Sequence, residues 1–261
     1  MRWLRYQGAN GIRYGIVEGS TIAEVEGTPF AHWQRTGTTA ELHAVKTLVP
    51  VVPGTFYAIG QNYRQHAAEF GNAQAAAGPA RPQPGYRANS ALVADGENIV
   101  IPATSGGIQY EGELVVVIGK TARYVAEADA LSIVLGYTIG NDVSERAWQK
   151  IDSGLWRAKN CDTFKPMGPW IETDVDLPSL VTRVRINGRQ MLEFPTNDMI
   201  FGVEAYIAEI TKYMTLHPGD VIWMGTEGSN ADMKAGDVVE VELDQIGTLR
   251  NPVVAEKRPS A

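Results

Sequence analysis

The sequence predicts an α+β chain that is mainly β, and three observations carry that expectation. Runs of β-branched and other apolar residues recur at strand length, as in Leu114–Ile118, Val181–Ile186, Val221–Met224 and Val238–Leu243. One longer segment, Val203 to Met214, sets Val203, Tyr206, Ile207, Ile210 and Met214 at the helical repeat. A proline-rich stretch, Val49-Pro50-Val51-Val52-Pro53-Gly54, restricts the backbone and removes donors, so it separates a small β-rich unit, residues 1–52, from a larger one, residues 53–261.

In chain order, the first unit reads as short strands at Trp3–Tyr6, Ile12–Val17 and Ile22–Val25, with turn residues between them and a short helix near Ala40–Lys46. A buried strand follows at Phe56–Gly60, then a helix from about Tyr63 to Phe70. Residues 71–85 hold five Ala, three Gly and three Pro without apolar periodicity, the composition of a lid loop. Two Gly-Asp turns, at Gly219-Asp220 and Gly236-Asp237, each launch a strand.

Composition removes several functions. The 261 residues are 44% hydrophobic and 20% charged, enough for a core and unlike a disordered chain. With 23 basic against 30 acidic residues the formal charge is −7, which argues against a sequence-independent grip on nucleic acid. The single cysteine, Cys161, rules out an internal disulfide or a multi-cysteine zinc site. Met1–Tyr6 lacks the apolar region of a signal peptide, and no apolar run reaches the roughly 18–20 residues of a membrane helix. The expectation is a cytoplasmic protein that binds neither membrane nor nucleic acid.

The residues that could carry chemistry fall in five places. In Tyr110-Glu111-Gly112-Glu113, strand alternation puts the two carboxylates on one face about 7 Å apart, just before a valine run that enters the core. Asp142 ends a second strand; it reads locally as a helix cap three residues before Glu145, yet with Glu111 and Glu113 it completes an all-oxygen set suited to Mg²⁺ or Mn²⁺. His66 and Glu69 share a helix face, so the carboxylate can orient the imidazole, and a surface ion pair is the plainer alternative. Lys159 lies in a polar, turn-rich stretch and could stabilise an oxyanion. The loop Gly225–Asn230 offers backbone N–H groups and the Thr226 hydroxyl to a carboxylate, and it lacks the lysine of a phosphate-binding loop.

Taken in order, these segments resemble the fumarylacetoacetate hydrolase superfamily from about residue 55 to the end. The resemblance runs through Ile59-Gly60-Gln61-Asn62-Tyr63 with His66 and Glu69, Tyr110–Glu113, and Asn141–Ser144 with Arg146. It continues through Lys159 to Pro169, Pro218 to Thr226, and Ile246–Asn251. Each match is weak alone; six in one order are specific. The resemblance implies a mixed β-sandwich roll behind a small N-terminal domain, and a homodimer. It implies Mg²⁺ or Mn²⁺ on Glu111, Glu113 and Asp142, a water-activating His66–Glu69 dyad, Lys159 as oxyanion partner, and Arg87, Arg146, Gln149 and Thr226 at the substrate.

The implied activity is hydrolysis of a C–C bond in a small acylpyruvate or β-diketo acid through a metal-bound enolate. A decarboxylase, isomerase or dehydratase-type lyase acting on a keto acid or keto-sugar acid would use the same site. Three departures from the common pattern concern substrate: Arg87 stands where many relatives have Lys, Glu227 where a Pro is usual, and the Ala/Gly/Pro-rich lid offers little to recognise a large substrate. Arg offers a carboxylate a bidentate fork and stays charged.

Overall fold

The computed structural model describes residues 1–9, 11–68, the backbone of Glu69, and 78–257. Among these residues the chain is mostly sheet, as its β-branched runs predict. One twelve-stranded sheet contains, in spatial order, Trp33–Glu41, Thr21–Gly27, Gly11–Glu18, Arg2–Gly8, Lys165–Glu172, Val134–Asn141, Gly112–Ile118, Val221–Trp223, Phe56–Ile59 and Pro84–Tyr86, with Lys46–Thr47 paired to Arg2–Gly8 and Leu92–Val93 to Lys165–Glu172 off this path. A five-stranded sheet runs Arg189–Pro195, Val181–Ile186, Val238–Leu243, Gly247–Ala255 and Ile99–Ile101. The larger sheet passes between the two units without a break, because Arg2 and Trp3 pair with Glu172 and Ile171. The proline-rich stretch between them is packed: Val51 is buried, and the carbonyls of Val49, Pro50 and Pro53 accept from Arg5, Tyr14 and Asn89.

Gly112–Ile118 is the centre of the molecule and is buried along its whole length. Leu114, Val116 and Ile118 pack with Val184, Val241 and Leu249 of the five-stranded sheet, whereas Val115 and Val117 pack with Trp3, Ile171 and Trp223. A strand covered on both faces reads as a continuous apolar run rather than an alternating one.

Its own first residue and one on the paired strand Val134–Asn141 are glycine for steric reasons. A Cβ on Gly112 would meet Val184 and Val241 at 2.9 Å, so the residue between the two glutamates must lack a side chain for the sheets to approach. A Cβ on Gly140 would stand 2.6 Å from the buried Trp223 ring. Gly140→Ala should therefore destabilise the fold by about 1–3 kcal/mol, the usual result of overpacking a tight core. The check is a lower urea midpoint at unchanged slope.

The helix Val203–Tyr213 buries Val203, Tyr206, Ile207, Ile210 and Thr211, the face its periodicity predicts, and Met214 is its C-cap. Arg64–Glu69 is helical; Phe70 and the lid residues 71–77 lie outside the described residues. The helix expected near Ala40–Lys46 is not there. The strand Trp33–Glu41 runs through its start and is followed by one 3₁₀ turn, Leu42–Ala44, and the short strand Lys46–Thr47. Thr36, Thr38 and Thr39 favour extended backbone, and pairing with Thr21–Gly27 satisfies it. No helix among the described residues is long and apolar enough to cross a membrane.

Candidate active site

Three chain segments build the acidic centre. Gly112 pairs with Asn141 and Glu113 with Gly140, so the start of one strand lies against the end of the other. The register continues past the strand ends, where the Asp142 N–H donates to the Glu111 carbonyl at 2.9 Å and Asn141 Oδ1 accepts from the Glu111 N–H at 2.9 Å. Carboxylate oxygens of Glu111, Glu113 and Asp142 consequently lie within 4.8 Å of one another, all buried. The capping role expected of Asp142 belongs instead to Glu145, whose side chain accepts from the Trp148 N–H. The helix starts at Arg146, one turn later than the capping pattern suggests, and Asp142 is left to the site.

Basic groups surround two of the three carboxylates. Glu111 is paired with Lys159, Arg146 Nη1 stands 2.6 Å from its Oε1, and His66 Nε2 is 3.8 Å from the same oxygen. Asp142 receives Arg87 through Nε at 3.1 Å and Nη2 at 2.8 Å, Lys159 at 3.0 Å, and Lys165 at 2.6 Å. Burial works to raise both acids, but Lys159 and Arg146 outweigh it and hold Glu111 at about 2, while Arg87, Lys159 and Lys165 hold Asp142 well below the usual carboxylate range.

Glu113 goes the other way. It accepts one backbone N–H, from Gly225 at 2.9 Å, and no basic side chain pairs with it among the described residues. Burial, then Asp142 and Glu111, push its carboxyl well above the usual range. A carboxylate disfavoured by this surrounding is one that a divalent cation would compensate, and Glu111 Oε1 accepts no hydrogen bond despite its close cation. The donor set, three hard oxygens at close quarters, fits Mg²⁺ or Mn²⁺.

A cavity of about 250 Å³ opens onto this centre. His66, Arg87, Glu111, Glu113, Gln149, Lys159 and Thr226 all line it, so seven of the sequence candidates meet in one space. Gln149 Oε1 accepts from Arg146 Nη1 at 2.8 Å, which leaves its amide N–H groups available to the cavity. Arg146 itself is not among the lining residues; its guanidinium is engaged by Glu111, Gln149, Gln109 and Ser229. Glu227 does not line the cavity either. The backbone of Glu69 belongs to the helix that carries His66, and its side chain lies outside the described residues. Of the expected lid, Pro79 and Gln83 reach the cavity wall.

Lys165 escaped the sequence reading. It is fully buried, donates to the carbonyls of Val143 and Phe164 at 3.0 and 2.8 Å, and burial pulls its ammonium down to about 8 despite Asp142 beside it. The available signal was a lysine opening a strand, Lys165–Glu172, that is otherwise apolar at its start. Lys165→Met should lower stability by roughly 3 kcal/mol, because removing one partner of a buried charge cluster leaves the other carboxylate less compensated. Thermal and urea unfolding of the two proteins measure it directly.

The fumarylacetoacetate (FAA) hydrolase C-terminal family model matches residues 55–254, and an Rv2993c-like N-terminal model matches residues 1–50. Protein Rv2993c of Mycobacterium tuberculosis is 36% identical over 269 residues, covering 99% of this chain and all of that protein. The crystal structure of a 2-hydroxyhepta-2,4-diene-1,7-dioate isomerase from Mycobacterium marinum is 37% identical and superposes with a TM-score of 0.89 over 99% of this chain and 100% of its own. Maleylpyruvate hydrolase from Sphingobium sp. SYK-6, solved with manganese(II) and pyruvate, is 28% identical with a TM-score of 0.80, covering 98% of this chain and 100% of its own. Further relatives are named as a hydrolase, a tautomerase and a bifunctional isomerase/decarboxylase.

Proposed function

The chain belongs to the fumarylacetoacetate hydrolase superfamily, and from that premise we propose that it is a divalent-metal-dependent hydrolase cleaving a C–C bond in a small acylpyruvate or β-diketo acid. The observation that carries this reading is the meeting of His66, Lys159 and the carboxylates of Glu111 and Glu113 in one cavity. Glu111, Glu113 and Asp142 would hold Mg²⁺ or Mn²⁺, which supplies Lewis acidity toward the substrate's paired oxygens.

The chain's own groups then have separable tasks. His66, 6% exposed and on the cavity wall, takes a proton from water as the water adds to the distal carbonyl, with Glu69 steadying the imidazole. Collapse of that adduct breaks the C–C bond and leaves the electron pair on the pyruvate-like half as an enolate. Lys159, held between Glu111 and Asp142, places a positive charge where that negative charge develops. Arg87, the Gln149 amide and the Thr226 hydroxyl bind and orient the keto acid, and Arg146 fixes both Glu111 and Gln149. The reading includes a cytoplasmic homodimer, which light scattering of the purified protein tests.

A second reading is favoured by one observation, the full-length similarity to a solved isomerase. A decarboxylase, isomerase or dehydratase-type lyase on a keto acid or keto-sugar acid reaches the same enolate without attack by water. A panel of acylpyruvates, oxaloacetate, β-diketo acids and 2-keto-3-deoxy sugar acids, with products identified by NMR with and without Mn²⁺, separates the two. Cleavage of an acylpyruvate into pyruvate and a carboxylic acid supports the hydrolase. Turnover confined to oxaloacetate or a keto-sugar acid supports the second reading, and no turnover of any member overturns both.

A further inference from the structure

The carboxylate of Asp142 is the most heavily engaged group in the site. Two carboxylate oxygens offer about four lone-pair positions. Arg87 takes one on each oxygen, Lys165 approaches Oδ1, and Lys159 donates to Oδ2. Any cation that coordinates Asp142 must displace one of these N–H donors. Four basic side chains (Arg87, Arg146, Lys159, Lys165) also face three acids, so an incoming divalent ion meets a local surplus of positive charge.

The three that hold Asp142 are not equally able to yield. Lys165 is fully buried and anchored by the carbonyls of Val143 and Phe164. Lys159 is shared between Asp142 and Glu111. Arg87 stands on the cavity wall, and among the described residues its guanidinium makes one hydrogen bond away from Asp142, from Nη1 to the carbonyl of its neighbour Tyr86 at 2.9 Å. We propose that Arg87 sets the affinity of this site for its divalent cation, by competing with the cation for both oxygens of Asp142.

This inference rests on the metal-site reading above and adds a residue to it. A guanidinium grips a carboxylate at two points, whereas an ammonium in its place would grip at one. Arg at position 87 therefore makes Asp142 a costlier ligand to recruit than Lys would. Glu113, with a single backbone donor, carries no such competitor among the described residues and is the carboxylate most ready to meet the ion.

The test is a titration of Mn²⁺ alone into the full-length protein, with free Mn²⁺ read by electron paramagnetic resonance, for wild type, Arg87→Lys, Arg87→Gln and Glu113→Gln. Arg87→Gln should bind Mn²⁺ about tenfold more tightly than wild type, and Arg87→Lys should fall between them because it keeps the charge and loses the fork. Asp142 retains Lys159 and Lys165 in both variants, and Arg87→Lys carries the test if Arg87→Gln fails to fold. Equal or weaker binding in the Arg87 variants, with Glu113→Gln still abolishing it, overturns the role of Arg87 and leaves the metal site standing. Absence of Mn²⁺ binding in wild type and both Arg87 variants overturns the metal reading itself.

Discussion

Replacing Glu113 with Gln is expected to reduce metal-dependent kcat/KM on the order of a thousandfold, about 4 kcal/mol of transition-state stabilisation. The substitution is isosteric, and its amide oxygen can still accept the Gly225 N–H that Glu113 accepts at 2.9 Å. What it removes is the negative charge and the hard anionic ligand. The same change should leave the fold as stable as wild type, or more so, when measured with a chelator present. The carboxyl it replaces is buried and pushed well above the usual range by burial, Asp142 and Glu111, so its neutral isostere carries less desolvation and repulsion. Activity and thermal midpoint thus move in opposite directions. A parallel loss of both would assign Glu113 a role in folding rather than in the site.

His66→Ala should lower acylpyruvate hydrolysis by roughly 10²–10⁴-fold, the usual contribution of a positioned general base. Its side chain is buried on the cavity wall with Nε2 3.8 Å from Glu111 Oε1, close enough for the base and the carboxylate centre to act on one bound substrate. Tautomerisation or decarboxylation of oxaloacetate, which needs no attacking water, should survive the same substitution within about tenfold. Steady-state rates for both reactions on one preparation give the comparison. Hydrolysis that persists without His66 would place the water-activating step elsewhere.

Much of this site is legible in the sequence because its key element is local. In Glu111-Gly112-Glu113 the alternation of a strand brings two carboxylates to one side, and the apolar run behind them announces a buried strand. The need for Gly112 shows only in three dimensions, since Val184 and Val241 come from a sheet formed some 70 to 130 residues later in the chain. Asp142 shows the limit of local patterns. A carboxylate three residues before a glutamate is a capping signal on its own terms, and the outcome turned on Glu145 capping a helix that begins at Arg146. The helix expected near Ala40–Lys46 failed for a related reason: pairing with Thr21–Gly27 decided the backbone of the threonine-rich segment before it.

Charge relations were the least legible. Nothing in the spacing of Lys165 marks it as a buried partner of Asp142, because the contact joins residues brought together by the sheet and the turn after Val143. Arg146 illustrates the converse. The family resemblance sets it at the substrate, and its guanidinium meets Glu111, Gln149, Gln109 and Ser229. Those contacts show only in the side-chain network.

The most direct test of the account is anomalous diffraction at the manganese absorption edge from crystals of the full chain grown with Mn²⁺. One strong peak bounded by the carboxylates of Glu111, Glu113 and Asp142 is expected. A peak elsewhere, or none at these three residues, would contradict it.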